Sequence, residues 1–279
     1  MVVDSKATIT YIQSLKEDLS VFRLVPQDGT VPEYKAGQFL TIGLHVPNEN
    51  KVIRRAYSIA SHSENRKYIE LYIRWVRKPL PGRLTTQLFN AKEGDEINWL
   101  KPTGAFTINN TLANGQKDER RLICIGGGTG LAPFVSYAQH LHAVGDKREL
   151  VVLHGASYVD ELGYKELLTD LEYESIDKGK DKWNFTYRAT ISRPQEWFNR
   201  SWGGQVGRVE TFLRSKDGGP SPLEKLVNDK ITKENTIFYI CGWQGTIDGV
   251  MDFLKPRGFA SERDKRPDGS FEVKYESYG

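Results

Sequence analysis

The sequence predicts a two-domain β plus α/β protein, with an N-terminal antiparallel β-barrel followed by a C-terminal domain on a parallel sheet. Three observations carry this reading. Over the first hundred residues, short apolar runs recur at even spacing between Gly, Pro, Asn and Asp, as in barrels and sandwiches. Residues 109–120, "NNTLANGQKDER", are polar and lack an apolar period. They read as a linker with its boundary near residue 114, giving domains 1–113 and 114–279. Beyond it, apolar strands alternate with helical stretches, the pattern of a parallel sheet covered on both faces.

The barrel strands are expected in "ATITYIQ", "LSVFRLV", "GQFLTIGL", "RAYSIAS", "YIELYIRWV", "GDEINWL" and "GAFTI", with one helix at 84–90, "LTTQLFN". In the second domain the expected strands are "RLICI", "ELVVLHGA", "NFTYRATIS" and "TIFYICG". An amphipathic helix is expected at about 131–144, and another in "TIDGVMDFLKPRGF".

Composition narrows the function. With 279 residues, 38% apolar and 27% charged, the chain folds as an ordinary globular protein, and a net charge of +3 gives no argument for nucleic acid. Cys124 and Cys241 both sit in apolar strand-like runs, which argues for reduced thiols, and two cysteines are too few for an all-cysteine iron-sulfur cluster. The start "MVVDSKATIT" has no signal-peptide pattern and no stretch is long enough to span a membrane, so a soluble cytoplasmic monomer is expected. His45, His62, His140, His142 and His154 show no metal-ligand spacing, and no metal is expected.

Two stretches carry chemistry. "ICIGGGTGLAPF", residues 123–134, sets four glycines and a threonine between a strand and a helix. Glycine lets backbone approach a phosphate, and the free N–H groups of a helix start supply donors for it. Pro133 suits the first helical turn. Leu131 occupies the place of the third glycine of the dinucleotide fingerprint, so the residues suit either a phosphate cradle or a tight strand-to-helix turn. The other stretch, "RRAYSIAS" at 54–61, opens a half-buried strand with a cationic pair beside a tyrosine. Strand alternation puts Arg55 and Tyr57 on one face and Ser58 on the other.

"RAYSIAS", "GRLTTQLF", "PTGAF", "GGGTGLAPF", "ISR" and "YICG" follow one another in an order and spacing that resembles the ferredoxin-NADP reductase family. In that family an FAD-binding barrel precedes a Rossmann-like nicotinamide-nucleotide domain, and the likeness covers nearly the whole chain. The resemblance implies that the motif Arg55, Ala56, Tyr57, Ser58 serves FAD, with Arg55 on the pyrophosphate, Tyr57 against the isoalloxazine and Ser58 near flavin N5. Tyr72, Ile73 and Arg74 match the strand whose backbone meets the flavin and ribose. Gly82, Arg83, Leu84 and Thr85 match the helix start at a phosphate, where the Thr85 hydroxyl serves the phosphate, simple N-capping, or both.

For the nucleotide, the resemblance implies Gly128, Thr129 and Gly130 at the glycine turn and Ser192, Arg193 and Arg208 at the 2′-phosphate of NADP(H). Ser157 stands where bacterial relatives often carry a third arginine. Cys241 and Gly242 match the place where nicotinamide meets flavin, although Trp243, Gln244 and Thr246 depart from the usual residues after Cys-Gly. Glu276 and Tyr278 match a terminal carboxylate and flavin-covering aromatic, with Gly279 one residue beyond the pattern. The implied catalytic set is Ser58, Cys241, Glu276 and Tyr278.

The resemblance thus implies an FAD-dependent enzyme exchanging hydride with NADP(H) and single electrons with ferredoxin or flavodoxin. Arg54, Arg66, Lys67, Arg74, Arg77, Lys78 and Arg83 offer a basic rim for such an acidic carrier. A free-standing NAD(P)H-flavin reductase, an oxygenase-type reductase and a non-catalytic binding module keeping the fold are the alternatives.

Overall fold

The computed structural model describes residues 5–47, 51–77, 79–215 and 217–278. They form two compact units. One holds the chain up to Thr107 together with Val135–His140, and the other holds Ile108–Phe134 and the chain from Leu141.

In the first unit, β1 (Ser5–Lys16), β2 (Leu19–Pro26), β3 (Phe39–Val46), β4 (Lys51–Ser58), β5 (Ile69–Arg74) and β6 (Glu96–Thr103) form one antiparallel sheet. Its order is β4-β3-β6-β1-β2-β5. The two outer strands meet at an isolated Ile59–Leu71 bridge, where the Ala60 N–H also donates to Glu70 O at 2.8 Å, so the sheet curls toward a barrel. Alternating residues such as Ile9, Phe22, Leu40, Ile42 and Ile97 fill the interior, and α1 (Arg83–Asn90) adds Leu84 and Leu88.

"GAFTI" is not a strand. Its alternation reads as one, but Gly104 takes φ +120°, a conformation side chains avoid, and turns the chain out of the sheet after Thr103. Phe106 still contributes, because its carbonyl accepts from Tyr137 Oη at 2.6 Å. Only glycine fits at Gly37 (φ +90°), where a Cβ would lie 2.0 Å from Phe106 O.

The second unit is built on β7 (Arg121–Gly127), β8 (Leu150–Ala156), β9 (Phe185–Ile191), β10 (Gln205–Val206), β11 (Thr236–Gly242) and β12 (Val273–Ser277). All neighbours run parallel in the order β10-β9-β8-β7-β11-β12. Its helices are α2 (Ala132–Val144), of which 135–140 group with the first unit, α3 (Lys165–Lys178), α4 (Pro222–Val227) and α5 (Gln244–Leu254). Ile123, Ile125, Val151, Leu153, Phe238 and Ile240 make a core against Ile247, Val250 and Leu254 of α5.

The α2 helix is not amphipathic. Residues 131–138 are all buried, Ser136 included, whose hydroxyl donates to Ser61 O at 2.7 Å. The polar stretch 109–120 is tied down by Arg148, a buried guanidinium that donates to Asn109 O, Asn110 Oδ1 and Asp118 O and pairs with Asp146. Full pairing is what lets such a charge stay out of water. Among the described residues, no helix is long and apolar enough to cross a membrane.

Candidate active site

In the first unit, β4 is an outer strand with Lys51, Arg54, Arg55 and Ala56 exposed, Tyr57 half-buried and Ser58 buried. Beyond the Ile59–Leu71 bridge no ladder among the described residues joins β4 to β5, so the two strands splay. Extending the antiparallel bridge sets Ser58 across from Tyr72, Tyr57 from Ile73 and Ala56 from Arg74. By that register the segments Arg55–Ser58 and Tyr72–Arg74 lie on the two strands that part beyond the bridge.

Tyr72 and Ile73 are buried, while Arg74 pairs with Asp18 at 3.0 Å. Burial pushes the Tyr57 phenol up, with Arg55 opposing weakly, so it stays protonated near neutrality. The Arg55 guanidinium is solvent-facing and donates to Arg54 O at 2.8 Å, a bond within its own strand.

The start of α1 fits an anionic group. Gly82 is the N-cap, no side chain caps the helix, and the first turn holds no acidic residue. A capping role for Thr85 is thereby corrected: its hydroxyl donates to Gly82 O at 3.3 Å inside the turn. An uncapped helix start is where backbone N–H groups can meet an anion. A Cβ at Gly82 would lie 2.4 Å from Thr85 Oγ1, so a larger residue there would displace the Thr85 hydroxyl. The expected basic rim is partly spent within the unit, because Arg66, Arg74 and Arg77 each face a carboxylate, Glu33, Asp18 and Glu17. Lys78 lies outside the described residues, as does Gly279.

In the second unit the site residues gather at the carboxyl ends of the parallel strands, where α/β sheets bind ligands. Gly128 has φ +56° and open space where a Cβ would point. Gly130 is packed: a Cβ there would lie 2.2 Å from Cys241 O. Leu131, in place of a third fingerprint glycine, closes over Gly126, whose Cβ would be 2.9 Å from Leu131 Cα.

Cys241 and Glu276 are register partners on β11 and β12, as are Gly242 and Ser277. The Cys241 thiol donates to Tyr278 Oη at 3.2 Å, Tyr278 Oη donates to Thr129 O at 3.4 Å, and the Tyr278 N–H donates to Gly242 O at 3.0 Å. The glycine turn, Cys241, Gly242, Glu276 and Tyr278 are thus one cluster. Burial, then the Glu276 charge, pushes the Cys241 thiol up, so it is a neutral donor and not a nucleophile. Trp243, 60% exposed, precedes α5, and Thr246 abuts Gly127.

The arginines lie farther along the same sheet end. Gln205 and Val206 pair with Thr190 and Ile191, so the segments that follow, with Ser192, Arg193 and Arg208, leave adjacent strands side by side. Arg193 donates to Tyr158 Oη at 2.7 Å, with its guanidinium 5.3 Å from that ring. Arg208 pairs with Glu210 at 2.9 Å and donates to Gly245 O at 2.9 Å. The Ser157 N–H is taken by Glu161. Sequence reasoning did not single out Tyr158 and Glu210, which contact Arg193 and Arg208; the one signal was that Glu210 follows Arg208 by two residues.

His154, fully buried on β8, has its pKa lowered to about 4 by burial, and its Nδ1 lies 3.2 Å from Tyr187 Oη. His140 and His142 pair with Glu64 and Glu174. No group of three or more metal-ligating side chains is found among the described residues.

Known proteins resemble this chain in sequence and fold. The oxidoreductase FAD-binding domain family matches residues 6–108, and the oxidoreductase NAD-binding domain family matches residues 124–252. A component of the Na(+)-translocating NADH-quinone reductase of Serratia proteamaculans is 29% identical over 224 residues, covering 78% of this chain and 48% of the relative. The reductase component of propane 2-monooxygenase from Rhodococcus jostii is 25% identical over 257 residues, covering 91% of this chain and 60% of the relative. The chain spans about half the length of the curated relatives it matches. Among solved structures, a ferredoxin NADP+ reductase from Neisseria gonorrhoeae with bound FAD and NADP superposes with a TM-score of 0.78 at 20% identity, covering 99% of both chains. The FAD/NAD-binding domain of nitric oxide dioxygenase from Vibrio cholerae gives 0.74 at 18% identity, covering 99% of this chain and 98% of that one.

Proposed function

From the premise that the chain belongs to the ferredoxin-NADP reductase family of FAD- and NAD(P)-binding flavoprotein reductases, we propose that it exchanges hydride with NADP(H) and single electrons with a ferredoxin or flavodoxin. The observation that carries the reading is the ordered pair of sites: an uncapped helix start beside the splayed β4 strand, then a glycine turn joined to Cys241 and Tyr278.

When bound, FAD supplies the conversion between two-electron hydride chemistry and one-electron transfer. The chain's own residues bind and orient. Arg55 and the N–H groups of α1 would hold the pyrophosphate, Tyr57 would present its ring to the isoalloxazine, and Ser58 would offer it a hydroxyl. Gly128–Gly130 admit the nucleotide backbone, and neutral Cys241 with Glu276 shapes the nicotinamide pocket without nucleophilic chemistry. Tyr278 gives up its bonds to Cys241 and Thr129 when nicotinamide enters. Ser192, Arg193 and Arg208 take the adenosine end. A cytoplasmic location fits two free, buried cysteines.

A second reading is an NADH-linked reductase component: one relative is named as part of an NADH-quinone reductase and another as the reductase component of a monooxygenase. Two observations favour it: Ser157 in place of a third arginine, and the carboxylate held against Arg208. Anaerobic mixing of the FAD-loaded protein with NADPH and NADH in parallel, followed by ferredoxin and flavodoxin, separates the readings. Flavin bleaching by NADPH and reoxidation by either carrier supports the first. Bleaching by NADH alone, with no electron passed to either carrier, supports the second, and no bleaching by either nucleotide rejects both.

A further inference from the structure

The two arginines at the adenosine end differ in what holds them. Arg193 leans on a phenol, a neutral partner that leaves its full positive charge for a ligand. Arg208 is 58% exposed, yet its Nε is 2.9 Å from a Glu210 carboxylate whose side chain is only 13% exposed. A second bond, to Gly245 O, fixes Arg208 to the first turn of α5.

Glu210 has little room to turn away. Its Oε1 is 3.0 Å, and its carboxyl carbon 3.1 Å, from where a Cβ on Gly249 of α5 would stand, and its Oε2 is buried without a hydrogen-bond partner. A negative charge is therefore fixed against Arg208. A ligand dianion meets one uncompensated cation at Arg193 and a nearly neutral pair at Arg208. In a partly desolvated site a neighbouring carboxylate opposes an added phosphate but not an uncharged hydroxyl.

We propose that Glu210 is a positioning residue that sets nucleotide choice by neutralising Arg208, so that the site accepts a plain adenosine ribose alongside a 2′-phosphorylated one and Arg193 alone grips the phosphate. The inference rests on the adenosine-end reading above and makes the site dual rather than strictly NADPH-selective. It also gives Ser157 a consequence, because no third cation restores the balance.

The test is calorimetric titration of the FAD-loaded protein with adenosine 2′,5′-bisphosphate and with AMP, which reads binding without turnover. Glu210→Gln should tighten the bisphosphate about three- to tenfold, leave AMP unchanged, and lose most of that gain in about 1 M salt. Glu210→Asp, which keeps the charge, should stay within about twofold of the parent, an electrostatic signature that a packing defect would not give. An equal change for both probes, or a weaker bisphosphate in Glu210→Gln, overturns the proposal.

A comparison independent of Glu210's tolerance to change is Arg193→Ala against Arg208→Ala. The first should weaken the bisphosphate about tenfold or more, and the second about twofold. The reverse order also overturns it. Stopped-flow reduction of the parent keeps the two levels apart. If the probe results hold but neither NADPH nor NADH bleaches the flavin, the reductase reading fails and the charge inference stands. If bleaching occurs but the probes do not discriminate, only the inference fails.

Discussion

Strand β4 in the first unit and strand β11 in the second each carry residues proposed above for a ligand, and they carry them in opposite ways. On β4, an outer strand of a curled antiparallel sheet, Lys51, Arg54, Arg55 and Ala56 are exposed and the chemistry sits in side chains the sheet does not need. On β11 every residue from Thr236 to Gly242 is buried between β7 and β12, and the chemistry sits in backbone placement and one enclosed thiol. The difference follows from sheet type: an antiparallel strand can spare one face for a ligand, whereas a parallel strand is covered on both faces and offers only its end. Function should therefore be separable from stability on β4 and inseparable from it around β11.

The strongest way to break that contrast is Gly130→Ala. The new methyl would stand 2.2 Å from Cys241 O and 2.6 Å from its carbon, both backbone atoms of a buried strand that cannot yield. We expect a loss of about 3 kcal/mol or more in urea denaturation, at or above the upper end of ordinary overpacking. Gly128→Ala is the control: its Cβ meets open space, and the cost is only that of φ +56°, about 1 kcal/mol. Equal costs for the two variants would mean that the glycine turn does not bear on β11.

His154 sharpens the same contrast through pH. It is buried on β8, register partner of Gly126, and its folded pKa is lowered to about 4. The folded state thus holds the imidazole neutral, while the unfolded chain takes up a proton below about 6.5. Its contribution is complete above that pH and is lost as pH falls toward about 4. Linkage gives about 2 kcal/mol lost by pH 5 and about 3 kcal/mol in full. Denaturation at pH 7 and pH 5 should show this loss in the parent and not in His154→Gln. Parallel slopes would show that burial there does not suppress protonation.

The contrast also decides what was legible. Arg55 and Tyr57 stood out because a cation in a strand breaks the apolar alternation, and the glycine turn stood out because no other residue recurs so densely between a strand and a helix. The antiparallel sheet and the four central strands of the parallel sheet were readable from their apolar periods, while the outer strands β10 and β12 were not. Two helices were not: α3 exposes Tyr173 and Ile176 where an amphipathic pattern needs polar residues, and α4 is only six residues long. The α2 stretch read as amphipathic because Gln139, His140 and His142 cluster in its last turns, although its first two turns are buried all round. Glu210 and Tyr158 did not stand out because their places come from contacts with Arg208 and Arg193, and no local rule encodes such contacts.

The smallest effect on the fold, and the cleanest on function, belongs to Arg55→Ala. Arg55 is exposed on an outer strand, and the bond it makes, to Arg54 O, is a local one. Removing it should change the stability of the flavin-free protein by no more than about 0.5 kcal/mol, the range of ordinary surface substitutions. A guanidinium on a pyrophosphate is a charge-assisted pair worth about 1.5 to 3 kcal/mol, so FAD should bind roughly ten- to a hundredfold more weakly. Arg54→Ala, which projects from the opposite face, is expected to leave FAD binding within about twofold. Fluorescence titration with FAD beside thermal denaturation of the flavin-free protein reads both quantities. Were Arg55→Ala to lower stability as much as affinity, β4 would need its side chain as β11 needs its backbone, and the separation of function from fold on the antiparallel sheet would be lost. Were affinity unchanged with stability intact, the pyrophosphate would lie away from this strand, leaving the start of α1 as its anchor in the first unit.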